Sequence, residues 1–256
     1  MTLKVTLFFC LFFSVSAQPF QCDVKKSKDI MQNYQWYTED YPPYNYKNKQ
    51  GELVGIFPDA LKLIFQELNL KINLNNIATV PWARLFRTLE TSTKHAAFSM
   101  FETPERAEKF QLISIPIMTH ISVMILAENK DMLTKKPIAE LTFAVVRQDI
   151  GEHLITKTFN VTKKVATNSA TSMINMLIYK RVEAIAYSEL VAKFQLSRLG
   201  IEGKKLVSIH NFNKKFKTAF IFHKNTPTCV SQLFSQAIFS LEKKGELAKI
   251  FKKYQH

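Results

Sequence analysis

The spacings that build metal sites are missing from this sequence. Its six histidines never fall as HxxxH or HxH, and no cysteine has a neighbour at CxxC spacing, so nothing signals a zinc centre. Long apolar runs are missing too. Beyond the first residues no stretch approaches the roughly 18 uncharged apolar residues of a spanning helix, and the mature chain is expected to be soluble. No Gly-, Ser- or Pro-rich linker divides the chain and no short-period repeat runs through it, which argues against tethered modules and against a solenoid. Glycine is scarce at 6 residues, whereas phenylalanine is abundant at 21. Neither a metal nor a cofactor is expected.

What is present begins at the N-terminus. Lys4 supplies a positive charge, Val5 to Phe13 is apolar, and Val15-Ser16-Ala17 puts small residues at the −3 and −1 positions. This pattern predicts a secretory signal peptide over residues 1–17, cut before Gln18, and hence a periplasmic protein. Cys22 follows Pro19-Phe20-Gln21 rather than a lipobox, so no lipid anchor is expected. Cleavage leaves two cysteines, Cys22 and Cys229, which permit one disulfide or two free thiols. The formal net charge is +14, carried by lysines scattered along the chain, often in pairs such as Lys135-Lys136 and Lys252-Lys253. A scattered charge reads as a solvated surface, not a nucleic-acid stripe, so no nucleic-acid partner is expected. It would favour loose contact with anionic membranes and attract anionic ligands.

Hydrophobic periodicity divides the chain into two α/β runs. Gln35 to Thr38 reads as a strand, and Tyr41 to Tyr46 as a turn. A helix follows, with Pro58 at its start and Leu61, Ile64, Phe65 and Leu68 on one face. Lys71 to Leu74 reads as a second strand, Ala83 to Leu89 as a helix, and His95 to Met100 as a buried strand. This β-α-β-α-β order predicts a parallel sheet faced by helices. The pattern restarts with strands at Val123 to Ala127 and Leu141 to Val146. Asp149 and Glu152 resemble a capping box that opens a helix. A helix with Met173, Met176 and Leu177, a strand at Ala184 to Tyr187 and a helix at Glu189 to Arg198 complete the second run. Lys217 to Phe222 is a late strand. Two terminal helices follow, around Val230 to Leu241 and through Leu247, Ile250, Phe251 and Tyr254. Two α/β units in one exported chain suggest two lobes with a cleft at the carboxyl ends of their strands.

Four elements in order carry a resemblance. Tyr41-Pro42-Pro43-Tyr44 precedes Gly51-Glu52-Leu53-Val54-Gly55-Ile56-Phe57-Pro58-Asp59; then come Thr103-Pro104-Glu105-Arg106, Ser114-Ile115-Pro116 and Gly245-Glu246-Leu247-Ala248-Lys249-Ile250. Together they resemble the family 3 periplasmic solute-binding proteins, the amino-acid-binding components of ATP-driven uptake systems, over nearly the whole mature chain. Pro81-Trp82-Ala83-Arg84 and the run from Arg147 to Glu152 are similar to a branch of that family. The resemblance implies a type II periplasmic-binding-protein fold of two α/β lobes joined by two hinge segments, here near Pro116 to Ser122 and Lys215 to Ala219. Residues 18–120 and 218–256 would form the first lobe and 121–217 the second. It also implies closure on a small carboxylate-bearing ligand, delivery to the membrane permease of an ABC importer, and a monomer. In the family the C-terminal helices return to the lobe that holds the N-terminus, which implies a Cys22–Cys229 disulfide.

The resemblance nominates site residues one by one. Arg106, from Thr-Pro-Glu-Arg, would hold the ligand carboxylate, and the motif should open a helix beside the cleft. The alternative is a surface arginine paired with Glu102 or Glu105. Tyr41 and Trp82 fall where the family sandwiches the ligand between aromatics; otherwise they pack on the core. Phe101 stands where a ligand-binding Thr or Ser is frequent, and Ser99 stands where glycine is common and could supply the hydroxyl instead. Ser188, with Glu189 beside it, replaces the aspartate that usually binds the ligand's ammonium. Gln148 and Asp149 replace a glycine and a small hydroxyl residue. Asp149 either binds the ammonium or only caps its helix. Arg84 either adds a second positive charge or faces solvent. Two other functions remain open. Some relatives dehydrate cyclohexadienyl acids with a carboxyl group as general acid, a part open to Glu189 or Asp149. Others are sensory or accessory modules fused to kinases or murein-cleaving domains, whereas this chain is expected to stand alone.

Overall fold

Apolar strands that cannot remain in water on either face organise the molecule. The computed structural model describes residues 22–213 and 215–254; the expected signal peptide, residues 1–17, lies outside them. The first run comprises α1 (Val24–Gln32), β1 (Gln35–Thr38), β2 (Tyr46–Lys47), β3 (Leu53–Val54), α2 (Ile56–Glu67), β4 (Ala78–Thr79), α3 (Trp82–Glu90), β5 (His95–Phe101), α4 (Pro104–Lys109) and β6 (Phe110–Thr119). The second comprises β7 (Ile121–Leu126), α5 (Lys130–Leu133), β8 (Phe143–Val146), α6 (Ile150–Phe159), β9 (Lys164–Thr167), α7 (Ala170–Ile178), β10 (Ala184–Ser188), α8 (Glu189–Arg198) and β11 (Leu206–Asn211). The chain closes with β12 (Phe216–His223), α9 (Thr228–Lys243) and α10 (Glu246–Lys253).

Two five-stranded sheets result, β4-β1-β5-β12-β6 and β11-β7-β10-β8-β9. The expected parallel arrangement holds for β4, β1 and β5 and again for β10, β8 and β9. It fails elsewhere, because β12 runs antiparallel to β5 and β6, and β7 antiparallel to β10 and β11. β6 has no counterpart in the sequence reading. It carries Pro116, which cannot donate to a ladder, and it is tolerated because β6 is a sheet edge. The strand expected at Lys71 to Leu74 does not form. There the Gln32 side chain takes both the N–H and the carbonyl of Lys71, at 3.0 and 2.6 Å, and pairing begins only at Ala78.

The phenylalanines fill the first lobe. Trp36 sits within 5.8–6.2 Å of the rings of Phe65, Phe98, Phe220, Phe222 and Phe234. Such pairs add about 0.5–1.5 kcal/mol each beyond the area they bury. The second lobe is mainly aliphatic, with every residue of β7, β8 and β10 buried, as strands covered on both faces must be. The chain passes from the first sheet to the second between Thr119 and Ile121 and returns between Asn211 and Phe216. The return comes earlier than the expected Lys215 to Ala219, because Lys217 to Ala219 are already paired with β6. Cys22 and Cys229 are joined, with Cα atoms 5.4 Å apart, so the disulfide implied by the resemblance ties the N-terminus to α9. Among the described residues no helix is long and apolar enough to cross a membrane.

Candidate ligand-binding cleft

Parallel strands direct the ends of four loops to one place. β1 ends before Glu39, Asp40 and Tyr41; β5 ends at Phe101; β8 ends shortly before Gln148 and Asp149; β10 ends at Ser188. Thr103 caps α4 by accepting the N–H of Arg106 at 3.2 Å, and Pro104 occupies the first turn. The Thr-Pro-Glu-Arg element therefore opens a helix, as expected, and turns Arg106 inward.

Arg106 is 7% exposed. Its Nη1 donates to the Phe101 carbonyl at 3.0 Å, and its guanidinium carbon lies 5.1 Å from the centroid of Trp82. Burial pulls its pKa down, while Asp149 and then Glu39 oppose the shift. Among the described residues it makes no ion pair with a carboxylate. The expectation of a surface arginine paired with Glu102 or Glu105 is thereby excluded. Glu102 instead accepts from the Ser114 hydroxyl, and Glu105 is exposed.

Two carboxyl groups face this guanidinium. Asp149 caps α6 by accepting the Gly151 N–H at 3.1 Å; burial raises its pKa, and Arg106 and the helix N–H groups pull against that rise. Glu152 completes only part of a capping box, accepting from Gln148 N instead of Asp149 N, at 2.8 Å. Gly151 permits this arrangement, because a Cβ there would collide with the Ala186 carbonyl of β10. Glu39 was not foreseen. Protein surrounds it, yet part of its surface stays accessible. Burial raises its carboxyl pKa well above normal, Asp149 adds to the rise, and Arg106 opposes it. One acid after a short strand carries no signal by itself in the sequence; only the convergence of β1, β5 and β8 identifies it.

Aromatic rings enclose the group. Tyr41 stacks on Tyr44 at 5.2 Å and meets Tyr187 edge-on at 5.5 Å. Its hydroxyl is buried towards Ser188 and, among the described residues, has no hydrogen bond of good geometry. The Trp82 indole N–H donates to the Gln148 carbonyl at 3.0 Å, a bond from the first lobe to the second. On the other rim Arg198 Nη1 meets both oxygens of Asp40 at 3.1 and 3.0 Å, and Gln195 adds a 3.3 Å contact. The lobes are closed on each other. A cavity of about 510 Å³ opens between α4 and α6, with Arg106 and Asp149 in its wall.

The profile of the bacterial extracellular solute-binding proteins, family 3, matches residues 36–256. The chain belongs to that family. A comparison with curated proteins finds no match. Among solved structures, a histidine kinase sensor domain with similarity to periplasmic binding proteins superposes with a TM-score of 0.76 at 13% identity, covering 87% of this chain and 96% of that one. The substrate-binding protein of an amino acid ABC transporter from Streptococcus pneumoniae, bound to L-arginine, gives 0.75 at 17%, covering 91% and 98%. The ancestral amino-acid-binding protein AncCDT-1, a precursor of cyclohexadienyl dehydratase, gives 0.75 at 18%, covering 90% and 100%. At these identities the likeness is one of fold: two-lobed periplasmic-binding-protein structures.

Family 3 membership makes the departures readable. Ser99 and Gln148 stand where the family favours glycine, and both have left-handed backbones, with φ of 68° and 61°. The Ser99 hydroxyl donates to the Phe98 carbonyl at 2.6 Å. Phe101 reaches Arg106 through its carbonyl, while its ring packs on Tyr41 and Phe216. Ser188 is fully buried, 3.2 Å from the Thr119 hydroxyl. Glu189 stands apart from the others, paired with Lys193 on α8 beside a separate cavity of about 510 Å³ next to the crossing strands. Arg84 is exposed. Tyr41, Trp82, Phe101, Arg106 and Asp149 are thus brought together, and Glu189 is not.

Proposed function

We propose that this family 3 protein is exported, captures a small carboxylate-bearing, amino-acid-like molecule by hinge closure, and delivers it to the permease of an ABC importer. On this reading residues 1–17 are a signal peptide, residues 18–120 and 216–256 move as one lobe and 121–211 as the other, and the protein works as a monomer. The observation that carries it is Arg106, a buried guanidinium that, among the described residues, makes no direct ion pair with a carboxylate. Burying an unpaired charge is costly, and a ligand carboxylate supplies the missing bidentate partner. Trp82 and Tyr41 would flank the ligand. Glu39 and Asp149 would receive its ammonium, with the backbone and hydroxyls of Ser99, Phe101 and Ser188 bordering the site. Thermal-shift screening of the ligand-stripped protein against amino acids, polyamines, organic acids and small peptides tests this. A binder at 100 times its dissociation constant adds about 2.7 kcal/mol. Stabilisation by amines without a carboxylate, and by no carboxylate compound, would overturn it.

A second reading is favoured by the upward pKa shifts of Glu39 and Asp149, because a carboxyl group whose proton is held more tightly is better suited to general-acid chemistry. Prephenate or arogenate would then be converted with the ultraviolet signature of aromatisation. Recovery of unchanged ligand supports the binding protein.

A further inference from the structure

Four basic side chains line the cavity between α4 and α6, and three of them have no ion-pair partner among the described residues. Arg106 is buried at its floor, whereas His153 and Lys157 are exposed at its mouth. Lys109 borders the same space but is held by Glu90 at 2.9 Å. Between floor and mouth the walls are apolar, formed by Phe86, Ile150, Leu154 and Phe216. Helix α6 advances about 1.5 Å per residue, so His153 and Lys157 stand about 6 and 12 Å beyond Asp149 along it. A volume of about 510 Å³, at about 30 Å³ per water, takes roughly 17 non-hydrogen atoms. A zwitterionic head on Arg106 and Asp149 leaves most of that space unfilled.

An acid already borders the mouth. Glu105 sits there, its carboxyl held low first by hydrogen bonds from its own backbone N–H and from Thr103, and then by the charges of His153 and Lys157 across the cleft. We propose that the ligand is two-ended: its α-carboxylate lies on Arg106, and an apolar tail runs through this cavity to a second acidic group at His153 and Lys157. The inference rests on the reading of Arg106 as a carboxylate anchor. Glu105 then acts as a competitor at the mouth, displaced when the second acid arrives.

Calorimetry on the ligand-stripped protein tests this with two series of L-amino acids. Aspartate, glutamate, 2-aminoadipate and 2-aminopimelate carry the second acid at increasing reach; norvaline and norleucine lack it. Affinity should rise along the acidic series and exceed that of norleucine by about fivefold or more at low salt, an advantage that shrinks as exposed charges are screened. In the His153→Gln, Lys157→Gln double variant the ratio of 2-aminoadipate to norleucine affinity should fall towards one. Glu105→Gln should widen it. These side chains are exposed, and an unchanged thermal midpoint verifies the fold. Equal affinities of 2-aminoadipate and norleucine, or a ratio untouched by the double variant, would overturn the outer site. Arg106→Ala would still weaken norleucine and leave the anchor standing. Lysine or arginine outcompeting both series would place a cationic tail at Glu39 and overturn it as well. If no member of either series binds, the outer site and the carboxylate anchor fall together.

Discussion

Arg106 concentrates the energetic argument at the scale of single residues. Removing one member of a buried charge pair typically costs about 3–5 kcal/mol, because the other charge is stranded. Arg106→Ala should therefore weaken ligand binding by roughly two to four powers of ten with the fold intact. Arg106→Lys should recover only part, since an ammonium lacks the planar fork. Calorimetry that finds Arg106→Ala within threefold of wild type would remove the carboxylate assignment. Glu39 and Asp149 make a different prediction. Both folded pKa values lie above unfolded ones of about 4.3 and 3.9. Between the unfolded and folded values the native state holds protons that the unfolded chain has lost, so stability falls as pH rises through that window. An ammonium ligand favours the carboxylates and should release protons on binding, making the apparent enthalpy differ between phosphate and Tris buffers. Glu39→Gln should flatten the stability profile of the ligand-free protein. Proton uptake on binding would count against an ammonium here.

At the scale of elements, what could be read from the sequence follows from local physics. Helices α2, α7 and α10 show as apolar residues at helical spacing, α8 by the Gly200 that ends it, and strands β5, β8 and β10 as short buried apolar runs. Missed were α1, α5, β2, β3, β4, β6, β9 and β11, each short, polar or interrupted by proline, and most of these strands pair with partners distant in the chain. The site divides in the same way. Arg106 was readable because a capped turn accompanies it, whereas Glu39 requires three strands to converge. Ser99 and Gln148 show what a local rule costs when it is broken. A left-handed side-chain residue is strained by about 1–2 kcal/mol relative to glycine. Gln148 is exposed and engaged through its backbone, its carbonyl by Trp82 and its N–H by Glu152. Gln148→Gly should therefore stabilise the ligand-free protein by about 0.5–1 kcal/mol, a rise of roughly 2–4 °C per kcal/mol in Tm, offset in part by the freer unfolded chain. Gln148→Val should lower Tm. Calorimetric melting distinguishes the two, and a lower Tm for the glycine variant would show that the side chain has a packing role.

For the whole molecule, the decisive quantity is how much of the closed form exists before ligand arrives. Two contacts clasp the lobes on opposite rims of the cleft: Trp82 to Gln148, and Asp40 to Arg198 and Gln195, the latter supported by Tyr46 packed on Phe194 at 5.3 Å. The Asp40–Arg198 pair is more than one-third exposed on both sides, so screening limits it to about 0.2–1 kcal/mol. That is still enough to shift a nearly balanced open–closed equilibrium. Apparent affinity scales with the fraction of binding-competent molecules. Asp40→Asn, which never touches the proposed ligand, should raise the apparent dissociation constant by about 1.5- to fivefold. It should also enlarge the radius of gyration of the ligand-free protein, which for a compact chain of this length is about 18 Å. Saturating ligand should return the variant to the wild-type radius by small-angle scattering, because both share one closed state. High salt should have the same effect on wild type as the substitution and none on the variant. An unchanged radius with a weakened affinity would mean that Asp40 acts on the ligand directly, and the clasp would lose its role in closure.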